Sequence, residues 1–246
     1  MGYYYWDPTY ILVVIGAVIC MIASARVKGT FNKYSQLRSM SGMNGAQVAQ
    51  RVLQAAGIYD VQVRHVSGSL TDHYDPRTKT VNLSDPVYNA TSVAALGVAA
   101  HECGHAIQHA KSYAPLSIRS ALVPIANFGS MLAWPVILIG LLFNTRSSGL
   151  IIDIGILLFS AAVLFQLVTL PVEFDASRRA LVMLRTQGIL ADDELKYTRR
   201  VLKSAALTYV ASAAKSAALT YVASAAAAIL QLLRIILITN GRRRDD

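Results

Sequence analysis

Hydrophobic positions along the chain fall into two regimes. In one they form unbroken blocks; in the other they recur with the period of a helix or a strand. The first block, YILVVIGAVICMIASA over residues 10–25, follows the aromatic cluster Tyr3, Tyr4, Tyr5 and Trp6 and ends at Arg26 and Lys28. Its length approaches what a bilayer demands, and the aromatics suit an interfacial belt. A signal peptide needs a basic leader, whereas the charge ahead of this block is Asp7, so a retained anchor is expected.

Residues 43–56 switch to helical spacing, with Val48, Val52, Leu53 and Ala56 on one side and Gly57 as the stop. Residues 59–66 read as a strand. Residues 69–75 and 79–84 read as a hairpin about Asp75-Pro76-Arg77-Thr78. The strand TVNLS, with Asn82 and Leu83, is expected to form an edge that holds an extended peptide. From Ser92 a helix is predicted, capped by Asn89, Thr91 or Ser92 and ended by Pro115. Two further apolar blocks, 121–143 and 149–171, are joined by the short turn NTRSS and predict a helical hairpin through a bilayer. Residues 172–204 are polar again. The last block contains KSAALTYVASAA twice, at 203–214 and 215–226. Its helical run, residues 205–238, is about 51 Å long against a hydrocarbon core of about 30 Å, so it must tilt, break or leave the membrane.

Composition agrees with these blocks. Apolar residues make up 54% and charged residues 15%, well under the roughly 25% charge of soluble domains. The net charge of +9 would suit nucleic acid if it lay in a stripe with interleaved aromatics. Instead Arg26, Lys28, Lys33 and Arg38 follow the first block, and Arg178, Arg179, Arg185, Lys196, Arg199, Arg200 and Lys203 follow the third. The positive-inside bias therefore places both polar stretches in the cytoplasm, and no nucleic-acid partner is expected. The two cysteines, Cys20 and Cys103, make no disulfide framework.

The expected architecture is a mainly α membrane protein. Its transmembrane helices accompany a small cytoplasmic α+β part, zincin-like in that its helix after Ser92 carries His101-Glu102-Cys103-Gly104-His105, an H-E-x-x-H pattern. The predicted divisions are an N-terminal anchor (1–27), a cytoplasmic α+β part (28–120), a transmembrane hairpin (121–171), a cytoplasmic segment (172–204), a C-terminal transmembrane or partly re-entrant helix (205–239) and a basic tail (240–246).

The candidate chemistry lies in His101-Glu102-Cys103-Gly104-His105. On a helix, positions i and i+4 face the same way, so both imidazoles can bind one metal ion while Glu102 takes a proton from water. Two imidazoles on zinc leave room for a third ligand and a water. The metzincin spacing is absent, because Gln108 and Lys111 stand where a glycine and a histidine would be needed. Glu173, within Pro171-Val172-Glu173-Phe174-Asp175, is the favoured third ligand; Asp175 and His109 stand as alternatives. Asp72, His73, Tyr74 and Asp75 read as an exposed turn, with His73 or Tyr74 as possible substrate contacts. Asn89-Ala90-Thr91 fits a glycosylation sequon, which a cytoplasmic location would leave idle.

The stretches YYYWDPTYIL, TFNKYS, HYDPRTKTVNLSDPVYNATSVAALGVAAHECGHAIQHA and LPVEFDASRRA closely resemble the bacterial YugP-like membrane zinc metallopeptidases. More distantly the chain is similar to the HtpX and CAAX-protease group of gluzincins, which carry H-E-x-x-H and a later E-x-x-x-D. The resemblance implies His101 and His105 as zinc ligands, Glu102 as the base and Glu173 as the later glutamate ligand. Ser177 stands where the distant group has an aspartate. The expected function is a zinc-dependent endopeptidase with one catalytic Zn2+, cleaving peptides or membrane proteins from the cytoplasmic face of the plasma membrane. The alternative is an inactive membrane scaffold that retains the fold. A transporter is disfavoured, since Asp153 and Arg234 are the main charges within the apolar blocks.

Overall fold

The structure is a computed structural model and describes residues 10–142 and 148–215. The aromatic cluster before residue 10, most of the NTRSS turn, nearly all of the second repeat copy and the basic tail lie outside the described residues. The elements are α1 (Tyr10–Ser35), α2 (Gly45–Ala55), β1 (Gln62–Val66), β2 (His73–Asp75), β3 (Thr80–Ser84), α3 (Asp85–Tyr88), α4 (Val93–Ala110), α5 (Ala114–Leu142) and α6 (Ser148–Thr186). Residues 192–215 continue as a helix, here α7. Among the described residues, three stretches are long and apolar enough to cross a membrane: Val14–Ser35, Ala114–Gly140 and Gly149–Thr186. The protein is a mainly helical, multi-pass membrane protein with a small mixed α+β region.

The chain divides into two compact units. Of the described residues, one takes in 10–21, 121–142, 148–167 and 211–215. Within it α5 and α6 approach closely through small residues, as membrane helices do when no water drives them together. A Cβ on Gly129 would lie 2.6 Å from the Leu158 carbonyl oxygen, and one on Gly155 would lie 2.5 Å from Ile137 Cγ1. Trp134 packs edge-on against Phe159. Outward-facing Phe128, Met131, Leu138, Leu157 and Leu164 are exposed, as lipid-facing positions require.

The other unit holds residues 22–120 and 168–210. Its core is α2 against α4. Val48, Val52 and Leu53 are buried, as their spacing predicts, and they meet Ala95, Ala99 and Ala100 of α4 in one apolar cluster. Asn44 caps α2 with a reciprocal box. Its side chain accepts from the Gln47 N–H, and the Gln47 side chain accepts from the Asn44 N–H. Gly57 follows with φ +74°, the left-handed conformation that ends a helix cheaply. Ser92 caps α4, its Oγ accepting from the Ala95 N–H.

The sheet order is β1-β3-β2. The hairpin forms as expected, with His73 opposite Asn82 and Tyr74 opposite Val81. The expectation that TVNLS is an edge is overturned. β1 pairs with β3 in parallel on its other side, from Gln62–Thr80 to Val66–Ser84, so β3 is central and buried along its length. Two helix boundaries also differ. α4 ends at Ala110, five residues before Pro115, where Lys111 caps it and Ser112 turns at φ +48°. Pro115 instead opens α5, a position where its missing N–H costs nothing. α6 runs unbroken through Pro171 to Thr186, so Glu173 sits within a helix and not at its end.

Candidate metal centre

The α4 helix places His101 and His105 one turn apart, and their rings meet edge to face with centroids 4.8 Å apart. α6 brings Glu173 against them. Its Oε2 lies 3.2 Å from His101 Nε2 and 3.6 Å from His105 Nε2. One ligand atom from each of the three residues falls within a 4.8 Å cluster. The approach of the two helices depends on Gly104, because a Cβ there would stand 2.5 Å from the Ala176 carbonyl oxygen. Two imidazole nitrogens and a carboxylate oxygen are a zinc donor set. Bonds of roughly 2.0–2.1 Å to a tetrahedral ion separate neighbouring donors by about 3.3 Å. The two histidine–carboxylate separations, 3.2 and 3.6 Å, are close to that value.

The outward nitrogens are held as well. Gln108 is fully buried, and its Nε2 donates to the Val172 carbonyl (2.8 Å) and to Asp175 Oδ2 (3.0 Å). Its Oε1 is thereby the acceptor for His105 Nδ1–H at 3.1 Å. That bond fixes the His105 tautomer with its Nε2 lone pair free toward Glu173. Ser177 Oγ lies 3.2 Å from His101 Nδ1, where its hydroxyl can accept that N–H when Nε2 serves a metal. Asp175 is engaged by Arg178, Arg179 and Gln108. It steadies the support and stands outside the donor cluster. His109 is also outside it: its ring is exposed, and its Nδ1 pairs with the Tyr74 hydroxyl at 2.9 Å.

Glu102 is buried and lines a cavity of about 350 Å3 together with His101 and Glu173. Burial pushes its carboxyl up to about 7, with His101 opposing and Glu173 reinforcing the shift. Much of the remaining wall is apolar, from Phe31, Val98, Leu202 and Ala205. Asp72 lines the cavity too. It is pinned by the Ser84 N–H and hydroxyl, both at 2.8 Å. Arg119 at the start of α5 brings its Nη2 to 3.8 Å from Glu173 Oε1, so the second carboxylate oxygen faces a cation. His73 is absorbed by the hairpin: its Nδ1–H donates to Thr71 O, and its Nε2 accepts from Asn82.

Sequence reasoning missed Gln108 and Arg119 as parts of this site. Gln108 lies three residues past His105 on the same helical face, a spacing that carries the signal. Arg119 is the charge that precedes an apolar block, which by itself reads as a membrane anchor.

The chain is 44% identical over 197 residues to "Putative membrane protease YugP" of Bacillus subtilis (strain 168), covering 80% of this chain and 86% of the relative. No solved structure matches it. Residues 9–217 match the family described as "Putative neutral zinc metallopeptidase", and the chain belongs to that family.

Proposed function

We propose that the zinc metalloendopeptidase reaction of this chain runs on His101, His105 and Glu173 as ligands of one catalytic ion, with Glu102 as general base. The observation that carries the reading is the convergence of two Nε2 lone pairs and one carboxylate oxygen beside a buried glutamate at a cavity wall. When bound, zinc supplies a Lewis acid that polarises the scissile carbonyl and acidifies water. Glu102 accepts the proton released as water adds to the carbonyl carbon. It returns that proton to the amine nitrogen as the carbon–nitrogen bond breaks. Its buried position beside the ligand set, at the cavity wall, suits it to both transfers. Gln108 and Ser177 keep the two imidazoles in the tautomer and orientation that ligation needs.

The substrates we propose are peptide segments at the membrane surface. In α6, residues 154–172 carry no charged side chain and make about 28 Å of helix, close to the hydrocarbon thickness. Glu173 follows that run at once in the sequence, which supports chemistry near the interface. Arg26, Lys28 and Lys33 in the second half of α1, Arg38 just past it and the basic residues after residue 177 favour the cytoplasmic side. On that reading residues 28–120 and 172–204 together form the cytoplasmic part.

The test is zinc content measured beside casein cleavage. Glu102→Gln is expected to keep zinc and lose cleavage, and Glu173→Ala to lose zinc. Cleavage that survives Glu102→Gln would sink the mechanism, and full zinc with full activity in Glu173→Ala would remove Glu173 as a ligand. Sidedness is read with Tyr59→Cys, an exposed position. A membrane-impermeant maleimide is expected to label it in inverted vesicles, and labelling in whole cells would reverse the orientation.

A further inference from the structure

We propose that the groove between α6 and α7 binds an anionic phospholipid, its phosphate on the basic side chains and an acyl chain along the apolar ones. The groove encloses about 400 Å3. Phe174, Leu181 and Val182 of α6 and Leu202 of α7 line it together with Arg178, Arg199 and Lys203. The arrangement follows from helical spacing. Phe174, Arg178, Leu181 and Val182 fall at i, i+4, i+7 and i+8 on one face of α6. Arg199, Leu202, Lys203 and Ala206 fall at i, i+3, i+4 and i+7 on one face of α7.

The charge is available for a ligand. Arg199 and Lys203 are exposed and, among the described residues, have no ion pair. Arg178 shares Asp175 with Arg179, so that acid is already balanced, and the Arg178 side chain remains 70% exposed. Three cations therefore share the groove with apolar side chains. A free phosphate or an acidic peptide would use the cations and leave Phe174 (49% exposed) and Val182 (51% exposed) in water. A phospholipid uses both.

Sequence position agrees with that ligand: Phe174 and Arg178 follow the charge-free run 154–172 by two and six residues on the same helix, and basic residues that flank an apolar block attract anionic headgroups.

Full-length, zinc-loaded protein is exchanged into mixed phosphatidylcholine and phosphatidylglycerol, partly delipidated, and its retained lipid counted by native mass spectrometry. Preferential retention of phosphatidylglycerol is expected. Arg199→Gln with Lys203→Gln should weaken it by about fivefold for each cation removed. Arg199→Lys with Lys203→Arg should preserve it. Arg64→Gln with Arg77→Gln, an equal charge change on exposed residues elsewhere, should leave it unaltered. Unchanged zinc content in each variant reports the fold, and the lipid count does not depend on peptidase activity. Three outcomes would overturn the proposal: equal retention of both lipids, an equal loss in the Arg64/Arg77 variant, or displacement of the lipid by inorganic phosphate.

Discussion

Substituting Gly104 by alanine tests whether the metal centre is built by helix approach. In an exposed helix the change would be favourable by about 1 kcal/mol, since alanine restricts the unfolded chain. Here the added Cβ would stand 2.5 Å from the Ala176 carbonyl oxygen and 3.1 Å from its carbonyl carbon. Ordinary contact begins at 3.4 Å, so α4 and α6 must separate locally by up to about 0.9 Å (3.4 − 2.5). Backbone cannot rotate out of the way as a side chain can. Overpacking of this kind costs about 1–3 kcal/mol, which cancels or exceeds the propensity gain. The larger effect falls on the metal. Zinc bonds tolerate departures of roughly 0.2 Å, and the same gap separates His101 and His105 from Glu173. Gly104→Ala is therefore expected to lower zinc affinity by roughly 10–100-fold, the range seen when ligand supports are displaced. The assay is chelator competition at constant pH, with melting temperature recorded alongside. Gly97→Ala is the partner experiment. Its Cβ would meet Thr198 Cγ2 at 2.5 Å, a side-chain atom that can turn away. That variant should lose some stability, because Thr198 also donates to the Val93 carbonyl, yet keep zinc. Wild-type zinc affinity in Gly104→Ala would refute the reasoning.

Three further outcomes are expected. Gln108→Leu leaves the Val172 carbonyl and the His105 Nδ1 proton without their partner, costing about 1–3 kcal/mol in thermal unfolding and roughly tenfold or more in zinc affinity; an unchanged melting temperature and zinc affinity would contradict this role. Ser177→Ala should weaken zinc binding by a smaller factor and Ser177→Asp should restore or tighten it, since a carboxylate also accepts from His101 Nδ1–H. Ala205→Phe fills the apolar wall of the cavity, and kcat/KM should fall about tenfold for peptides with a bulky apolar residue at the scissile bond relative to those with alanine there; equal losses for both peptides would count against the cavity as a side-chain pocket.

Much of this was legible in the chain because the relevant signals are local. Helical spacing brings His101 and His105 together, and the hairpin around Asp75 announces its own turn. The apolar blocks mark the spans without reference to anything else. Glu173 stood out as an acid just past an apolar block. The features that escaped depend on partners distant in sequence. β3 carries nothing in TVNLS to say that β1 joins it in parallel from the far side. Pro115 looked like a helix stop, whereas the turn at Ser112 ends α4 first and the proline begins α5. Gln108 reads as an ordinary polar residue until α6 supplies Val172 and Asp175 for its amide to bind. Ser177 read as a missing aspartate, although its hydroxyl reaches His101 from the position an aspartate would occupy.

Because α6 is one continuous helix, the stretch that matches the bilayer and the carboxylate that meets the histidines belong to the same rod. A bilayer thicker or thinner than the charge-free run makes such a rod tilt, kink or shift to relieve hydrophobic mismatch. In a typical membrane helix that adjustment ends in a loop and has no chemical effect. Here the next residue is Glu173, so zinc affinity is expected to vary with the acyl-chain length of the host bilayer, and an affinity constant from thin to thick bilayers would refute the link.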